Sequence, residues 1–247
     1  MKKQKLNIPF YISTNNKHMK CLEVYVHLYN KFMDGNELRI LGYDEPNFKL
    51  PENCKFISMG IQGGVTEWSN DLRKYFSECE DEYFIYSTED VFMYKQSNIK
   101  YLNCLIEFVK TNSWVGRLNL ANIGEENGDT MANSRHYRSN FLRNLDGDFG
   151  SVNLYQLSNS PYTLSCQPSI WNKDYFMKYM HGNLDPWAWE ASAQAKDDPF
   201  YRVIMLDGMY PLFKKEGYAT DRGWEYTDAW LHLINDSKLK DEITNWK

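Results

Sequence analysis

Between residues 9 and 110, short apolar runs alternate with segments of helical period, and this alternation limits what the chain can fold into. Pro9-Phe-Tyr-Ile-Ser13 is an apolar run that ends in Thr14-Asn15-Asn16. Leu22, Tyr25, Val26 and Tyr29 then fall at i, i+3, i+4 and i+7, the spacing of one helix face. The helix should stop at the turn pair Asp34-Gly35. Strands are predicted at Leu38–Gly42, Lys55–Ser58 and Tyr83–Ser87, with helices carrying Trp68, Leu72, Tyr75 and Cys79, and Ile99, Leu102, Ile106 and Val109. Tyr83-Phe-Ile-Tyr-Ser87 lacks in–out alternation, which marks a strand covered on both faces. Strand–helix–strand units of this kind predict an α/β fold with a mostly parallel central sheet flanked by helices. Ligands of such sheets bind beyond the carboxyl ends of the strands. Ser13-Thr14, Asp44 and Glu89-Asp90 all follow strands and should converge there.

Beyond Trp114 the pattern loosens. Strands are expected at Val115–Leu120, Val152–Leu157, Leu164–Trp171, Tyr201–Met205 and Met209–Phe213. Helices are expected at Asn172–Tyr179, from Asp185 through Ala195, and at Thr227–Ile234. The polar stretch 121–150 reads as a long loop with some helix. No repeat or linker divides the chain, so its 247 residues are read as one domain, whose second half adds a smaller sheet and helix region.

Charge narrows the partners. Lys and Arg number 28 against 33 Asp and Glu, a net charge of −5 that speaks against general nucleic-acid binding. Five scattered cysteines form no CxxC, which fits reduced thiols and a cytoplasmic setting. No run approaches the roughly 18 apolar residues of a membrane span. The basic start, Met1 to Lys5, precedes a run too short and polar for a signal peptide, and reads as the approach to the first strand. Peripheral membrane association stays open. Aromatics make up 16% of the residues, and flat amphipathic rings suit both a core and sugar or base faces.

Three segments could carry chemistry. The adjacent carboxylates Glu89 and Asp90 end a buried strand, where they need a partner. That partner is either a hard divalent cation, Mg²⁺ or Mn²⁺, or an arginine or helix terminus. Glu190 follows Pro186, Trp187 and Trp189. An aromatic pocket would raise its basicity toward that of a general base, whereas at a helix start the dipole alone would account for it. The Trp187 and Trp189 rings could platform a sugar. Trp68-Ser69-Asn70 opens a helix, as a cap or as a helix end facing an anion, with Arg73 one turn on to meet phosphate or a carboxylate. His18, His27, His136, His181 and His232 stand apart from one another. Arg135, Arg138 and Arg143 form a basic stretch in the long loop, either a phosphate patch or a solvated face. There is no Walker A motif, GxGxxG or GxSxG.

The order of these pieces resembles the nucleotide-sugar-dependent glycosyltransferases of the GT-A fold. It is most similar to a family of small bacterial and viral transferases with a "WS…L" helix, an "hhhhxDDhF" strand end, an "LQxxIW" strand and an "SPWxxE" segment. Here the matching residues are Trp68-Ser69 with Leu72 and Arg73, Glu89-Asp90-Val-Phe92, Ser165-Cys-Gln-Pro-Ser-Ile-Trp171 and Asp185-Pro-Trp-Ala-Trp-Glu190. The resemblance spans roughly residues 8 to 224.

It implies a GT-A-like fold, with a nucleotide-sugar-binding half (1–112) and an acceptor and catalytic half (113–247), and transfer of a sugar from a UDP-, GDP- or dTDP-sugar to a hydroxyl of a glycan or lipid-linked saccharide. Ser13, Thr14 and Asp44, with Trp68, Ser69, Arg73 and Glu89, would bind donor. Asp90 with Glu89 would hold Mn²⁺ or Mg²⁺, although the chain has Glu-Asp where the pattern has two aspartates. Glu190 would be the general base of an inverting reaction, and Trp171, Trp187 and Trp189 would face the acceptor. The alternative is a non-catalytic sugar- or nucleotide-binding protein of the same fold. A sugar-phosphate nucleotidyltransferase is disfavoured by Ser13-Thr-Asn-Asn-Lys-His18, which lacks the Gly-rich basic loop. A glycosidase built on Asp90 and Glu190 explains less of the chain.

Overall fold

A computed structural model describes residues 4–93, 96–120, 139–147, 150–157, 163–192 and 198–205, with Lys238 and Asp241. In the first strand, β1 (Phe10–Ser13), every residue is buried, as two covered faces require. Its side chains alternate between two cores. Phe10 and Ile12 join one core with Leu22, Tyr25 and Tyr29 of α1 (Met19–Phe32) and Leu102 and Ile106 of α3 (Ile99–Thr111). Tyr11 joins the other, with Leu72 and Phe76 of α2 (Trp68–Glu78), Phe176 of α4 (Lys173–Tyr179) and Trp189 of α5 (Pro186–Ala191). The period of two therefore sorts the helices onto opposite faces of the sheet.

Among the described residues the sheet has nine strands, in the order β3-β2-β1-β4-β8-β5-β9-β7-β6. β2 (Leu38–Gly42), β3 (Cys54–Ser58), β1 and β4 (Tyr83–Thr88) form a continuous parallel block. β8 (Ser169–Asn172) then runs antiparallel to both β4 and β5 (Arg117–Asn119). β5 pairs in parallel with β9 (Phe200–Met205), and β7 (Gly150–Leu157) lies antiparallel to β9. The α/β class and the parallel block with helices on both faces are those expected from the sequence.

Local signals explain the ends of the elements. After α1 the chain turns at Asp34 (φ +53°) and Gly35 (φ +72°), in the left-handed region that glycine enters freely. The Asn98 side chain caps Tyr101 N–H at the start of α3, and Asn172 caps Asp174 N–H at the start of α4. Asp185 caps Ala188 N–H, with Pro186 opening α5.

Two expectations are corrected. Within the stretch read as a loop, β6 (Ser139–Gly147) forms an outer strand antiparallel to β7, with a register shift between Phe141 and Arg143. Its polar sequence concealed it because the ladder is made by backbone groups that every residue carries. The run Leu164–Trp171 is extended only from Ser169. Pro168 has no N–H to give a ladder, and side-chain donors described below take the preceding carbonyls. The helix from Asp185 ends at Ala191, and its continuation, together with Met209–Phe213 and Thr227–Ile234, lies outside the described residues. No helix among them is long and apolar enough to cross a membrane.

Candidate active site

The parallel register brings the carboxyl ends of β1, β2 and β4 side by side, since Ser13 pairs with both Leu41 and Thr88. β8 runs the other way, from the pairing of Ser169 with Tyr86 to that of Asn172 with Tyr83. The segment before β8, residues 163–168, therefore passes beyond the carboxyl end of β4.

Ser13 sits at the centre of this edge. Its Oγ lies 2.6 Å from the Tyr86 hydroxyl and accepts from Trp68 Nε1 at 3.4 Å. Trp68 packs edge-on against Trp189, with centroids 5.6 Å apart. Ser69 is fully buried. Its hydroxyl accepts from Leu184 N–H at 2.9 Å and its N–H donates to Leu184 O at 3.2 Å, which joins the start of α2 to the turn before α5. Asn70 Nδ2 adds bonds to Glu67 and Asn183. Glu190 follows Trp189 and is 9% exposed. Its Oε1 accepts from Cys166 N–H at 2.7 Å. The series Ser13–Trp68–Trp189–Glu190–Cys166 thus links the carboxyl end of β1 to α5 and to the segment before β8.

The acidic pair splits. Glu89 is buried, with Oε1 2.6 Å from His18 Nδ1, and His18 is presented by the single turn Asn16–His18 directly after β1. Burial raises the Glu89 carboxyl above its ordinary range, while the His18 contact pulls it back. Asp90 is half-buried and accepts from Thr88 Oγ1 at 2.6 Å. Burial first, and then Cys166 and Glu89 nearby, raise the Tyr86 hydroxyl far above its ordinary value.

On the β2 side, Asp44 is exposed and locked to Asn16: Asn16 Nδ2 donates to Asp44 Oδ2 at 2.6 Å, and Asp44 N–H donates to Asn16 Oδ1 at 3.1 Å. Asn16 N–H in turn donates to Gln62 Oε1. Thr14 is buried, and its Oγ1 has no hydrogen-bond partner among the described residues. Beside it Gly42 is obligatory, because a Cβ there would lie 2.6 Å from the Phe56 ring and 3.0 Å from Thr14 Cγ2.

The edge therefore gathers Ser13, Thr14, Asp44, Trp68, Ser69, Glu89, Asp90 and Glu190. Arg73 is exposed one turn into α2. Two aromatic assignments are corrected. Trp171 and Trp189 are fully buried, each within the aromatic core around Phe176, and present no face to an acceptor. Trp187 is 56% exposed on α5, free to contact one.

Two residues escaped the sequence reading. His18 carried no spacing signal, because its partner lies 71 positions away. Arg117, fully buried in β5, read as part of a short strand. A charged residue inside an apolar run was the available sign.

Among the described residues no group of three or more His, Cys, Asp or Glu side chains is placed to hold a metal ion. With Glu89 drawn to His18, Asp90 offers one carboxylate. That suits Mg²⁺ or Mn²⁺ shared with ligand phosphates and water, a mode in which the protein supplies few donors.

No family model matches the sequence, and comparison with curated proteins gives no match. Among solved structures, the chain is similar to a crystal structure of S. aureus TarS residues 1–349, at 13% identity and TM-score 0.45 over 85% of this chain and 60% of that one. A second TarS crystal structure gives 12% identity and TM-score 0.47 over 93% of this chain and 39% of that one. The chain thus spans less than two thirds of either.

Proposed function

We propose that the chain is a nucleotide-sugar-dependent glycosyltransferase. The observation that carries this reading is the series of contacts Ser13–Trp68–Trp189–Glu190–Cys166, which ties the Glu190 carboxylate to the sheet edge that also bears Asp44 and Asp90. In this reading Ser13, Thr14 and Asp44 receive the nucleoside of a UDP-, GDP- or dTDP-sugar. Asp90 would hold Mg²⁺ or Mn²⁺, and a bound ion would supply positive charge to the diphosphate leaving group. Glu190 accepts the proton of an acceptor hydroxyl as that oxygen attacks the anomeric carbon, giving inversion. The Cys166 N–H fixes the carboxylate for this step. Trp187 is the aromatic surface left for a glycan or lipid-linked acceptor.

A second reading, a sugar- or nucleotide-binding protein without turnover, draws on the burial of Glu190 and its bond to the Cys166 peptide, which a structural carboxylate would also make.

Calorimetry with UDP, GDP, CMP and dTDP, with and without Mn²⁺, tests the proposal. The expected result is metal-dependent binding of one nucleotide by wild type, lost in Asp90→Ala. Absence of nucleotide binding under every condition would remove the transferase reading. Glycan binding without metal or turnover would establish the second.

A further inference from the structure

Arg117 is a buried cation on β5, remote in sequence from every residue assigned above. Buried arginines are uncommon and need their donors met. Arg117 Nε donates to Ser169 Oγ at 3.0 Å, Nη1 to Thr163 O at 2.6 Å and Nη2 to Ser165 O at 3.3 Å. Its guanidinium also lies over the Trp171 ring, 5.1 Å from the centroid.

Ser165 O and Cys166 N belong to the same peptide group. Arg117 donates to that peptide's carbonyl, and the same peptide's N–H donates to Glu190 Oε1. The sequence of groups is guanidinium, carbonyl, amide N–H, carboxylate. Hydrogen bonds in series polarise one another, and a charged donor on the carbonyl makes the N–H a stronger donor to an anion. A second path runs through rings, since Trp171 under the guanidinium contacts Trp189, the neighbour of Glu190, with centroids 6.1 Å apart.

We infer that Arg117 is a positioning residue that orients and polarises the Ser165–Cys166 peptide and thereby sets the Glu190 carboxylate. The consequence for transfer rests on the reading of Glu190 as the base. The coupling itself does not.

The test is spectroscopic. Protein labelled with nitrogen-15 cysteine shows the amides of its five cysteines, among them Cys166. A short bond to a carboxylate shifts the Cys166 amide proton downfield and slows its exchange. In Arg117→Gln that shift should collapse and exchange should quicken. Arg117→Lys, which keeps the charge and loses the fork, should restore part of it. Should the Arg117 variants fail to fold, Glu190→Gln reports the same coupling from the other end, through faster exchange of the Arg117 side-chain Nη2–H protons, which meet Ser165 O, in arginine-labelled protein. An unchanged Cys166 amide in folded Arg117 variants overturns the inference, as does an unchanged Arg117 signal in Glu190→Gln.

Transfer then reads the consequence. With the donor found by calorimetry, Arg117→Lys should lower kcat by about 10- to 100-fold with little change in donor KM. Full transfer by Glu190→Gln would remove Glu190 from the chemistry and leave the peptide coupling standing.

Discussion

The two ends of the parallel strands treat charge differently. At the amino end, Arg39 Nη1 bonds to Asp81 at 2.7 Å and to the Tyr11 hydroxyl at 2.6 Å, while Arg39 Nε meets Glu37 at 2.8 Å. Lys55 also meets Glu37, and the Tyr11 hydroxyl donates to Asp81. Acid meets base throughout, and the Glu37 carboxyl is held below its ordinary range by Lys55 and Arg39. At the carboxyl end, Asp44 is met by an amide, Asp90 by a hydroxyl, Glu89 by an imidazole and Glu190 by a peptide N–H. The first edge neutralises its own charge and serves stability. The second gathers carboxylates against mostly neutral donors, an arrangement suited to a proton or a cation brought by a ligand.

Four substitutions would break or sharpen this contrast. Glu190→Gln should lower transfer by about 100- to 10,000-fold while nucleotide binding stays near wild type, as loss of a general base does. Parallel loss of binding would make Glu190 a structural carboxylate. Asp81→Ala, at the other edge, should destabilise the fold by about 1–3 kcal/mol in urea denaturation, because it strips charged hydrogen bonds from Arg39 and Tyr11. Nucleotide affinity should not change. If affinity fell and stability held, the contrast between the edges would be wrong.

Glu89 gives a pH signature. Burial raises its carboxyl above the ordinary 4.5, so the folded chain binds this proton more tightly than the unfolded chain does. Stability from this group is complete below about 4.5 and is lost as pH rises toward the raised folded value. Thermal unfolding across that window should show the decline, and Glu89→Gln should flatten it. The smallest effect is expected at Thr14. Its buried hydroxyl has no partner among the described residues, so Thr14→Val should leave stability unchanged or raise it by up to about 1 kcal/mol. Nucleotide binding should weaken, and a clear loss of stability would show that the hydroxyl is engaged in the fold.

The parallel block was legible because its signals are local. Leu22, Tyr25, Val26 and Tyr29 announce α1 by spacing, and Tyr83–Ser87 announces β4 by continuous apolarity. Glycine and asparagine marked the ends. The candidate site was legible where chemistry follows a strand, as at Ser13-Thr14, Asp44 and Glu89-Asp90. What escaped depends on distance along the chain. His18 meets Glu89, and Arg117 meets Thr163 and Ser165, across gaps that periodicity does not span. The tryptophans misled for a related reason. Trp171 and Trp189 sit in motifs that suit a sugar platform, but burial is decided by packing from α2 and α4, and both rings went into the core. β6 stayed hidden because its polar residues gave no alternation, while its ladder to β7 needs only backbone groups.

The reversed strand β8 also sets an order of assembly. β1 to β4 pair with one another inside the first hundred or so residues and can associate as soon as these are available. The pairing of Tyr83 with Asn172 and the bond from Cys166 to Glu190 wait for a much later part of the chain. Such closures cost loop entropy before they return contact energy, and they slow folding. An emerging chain would thus carry the Asp44 and Asp90 border well before the Cys166–Glu190 contact could form.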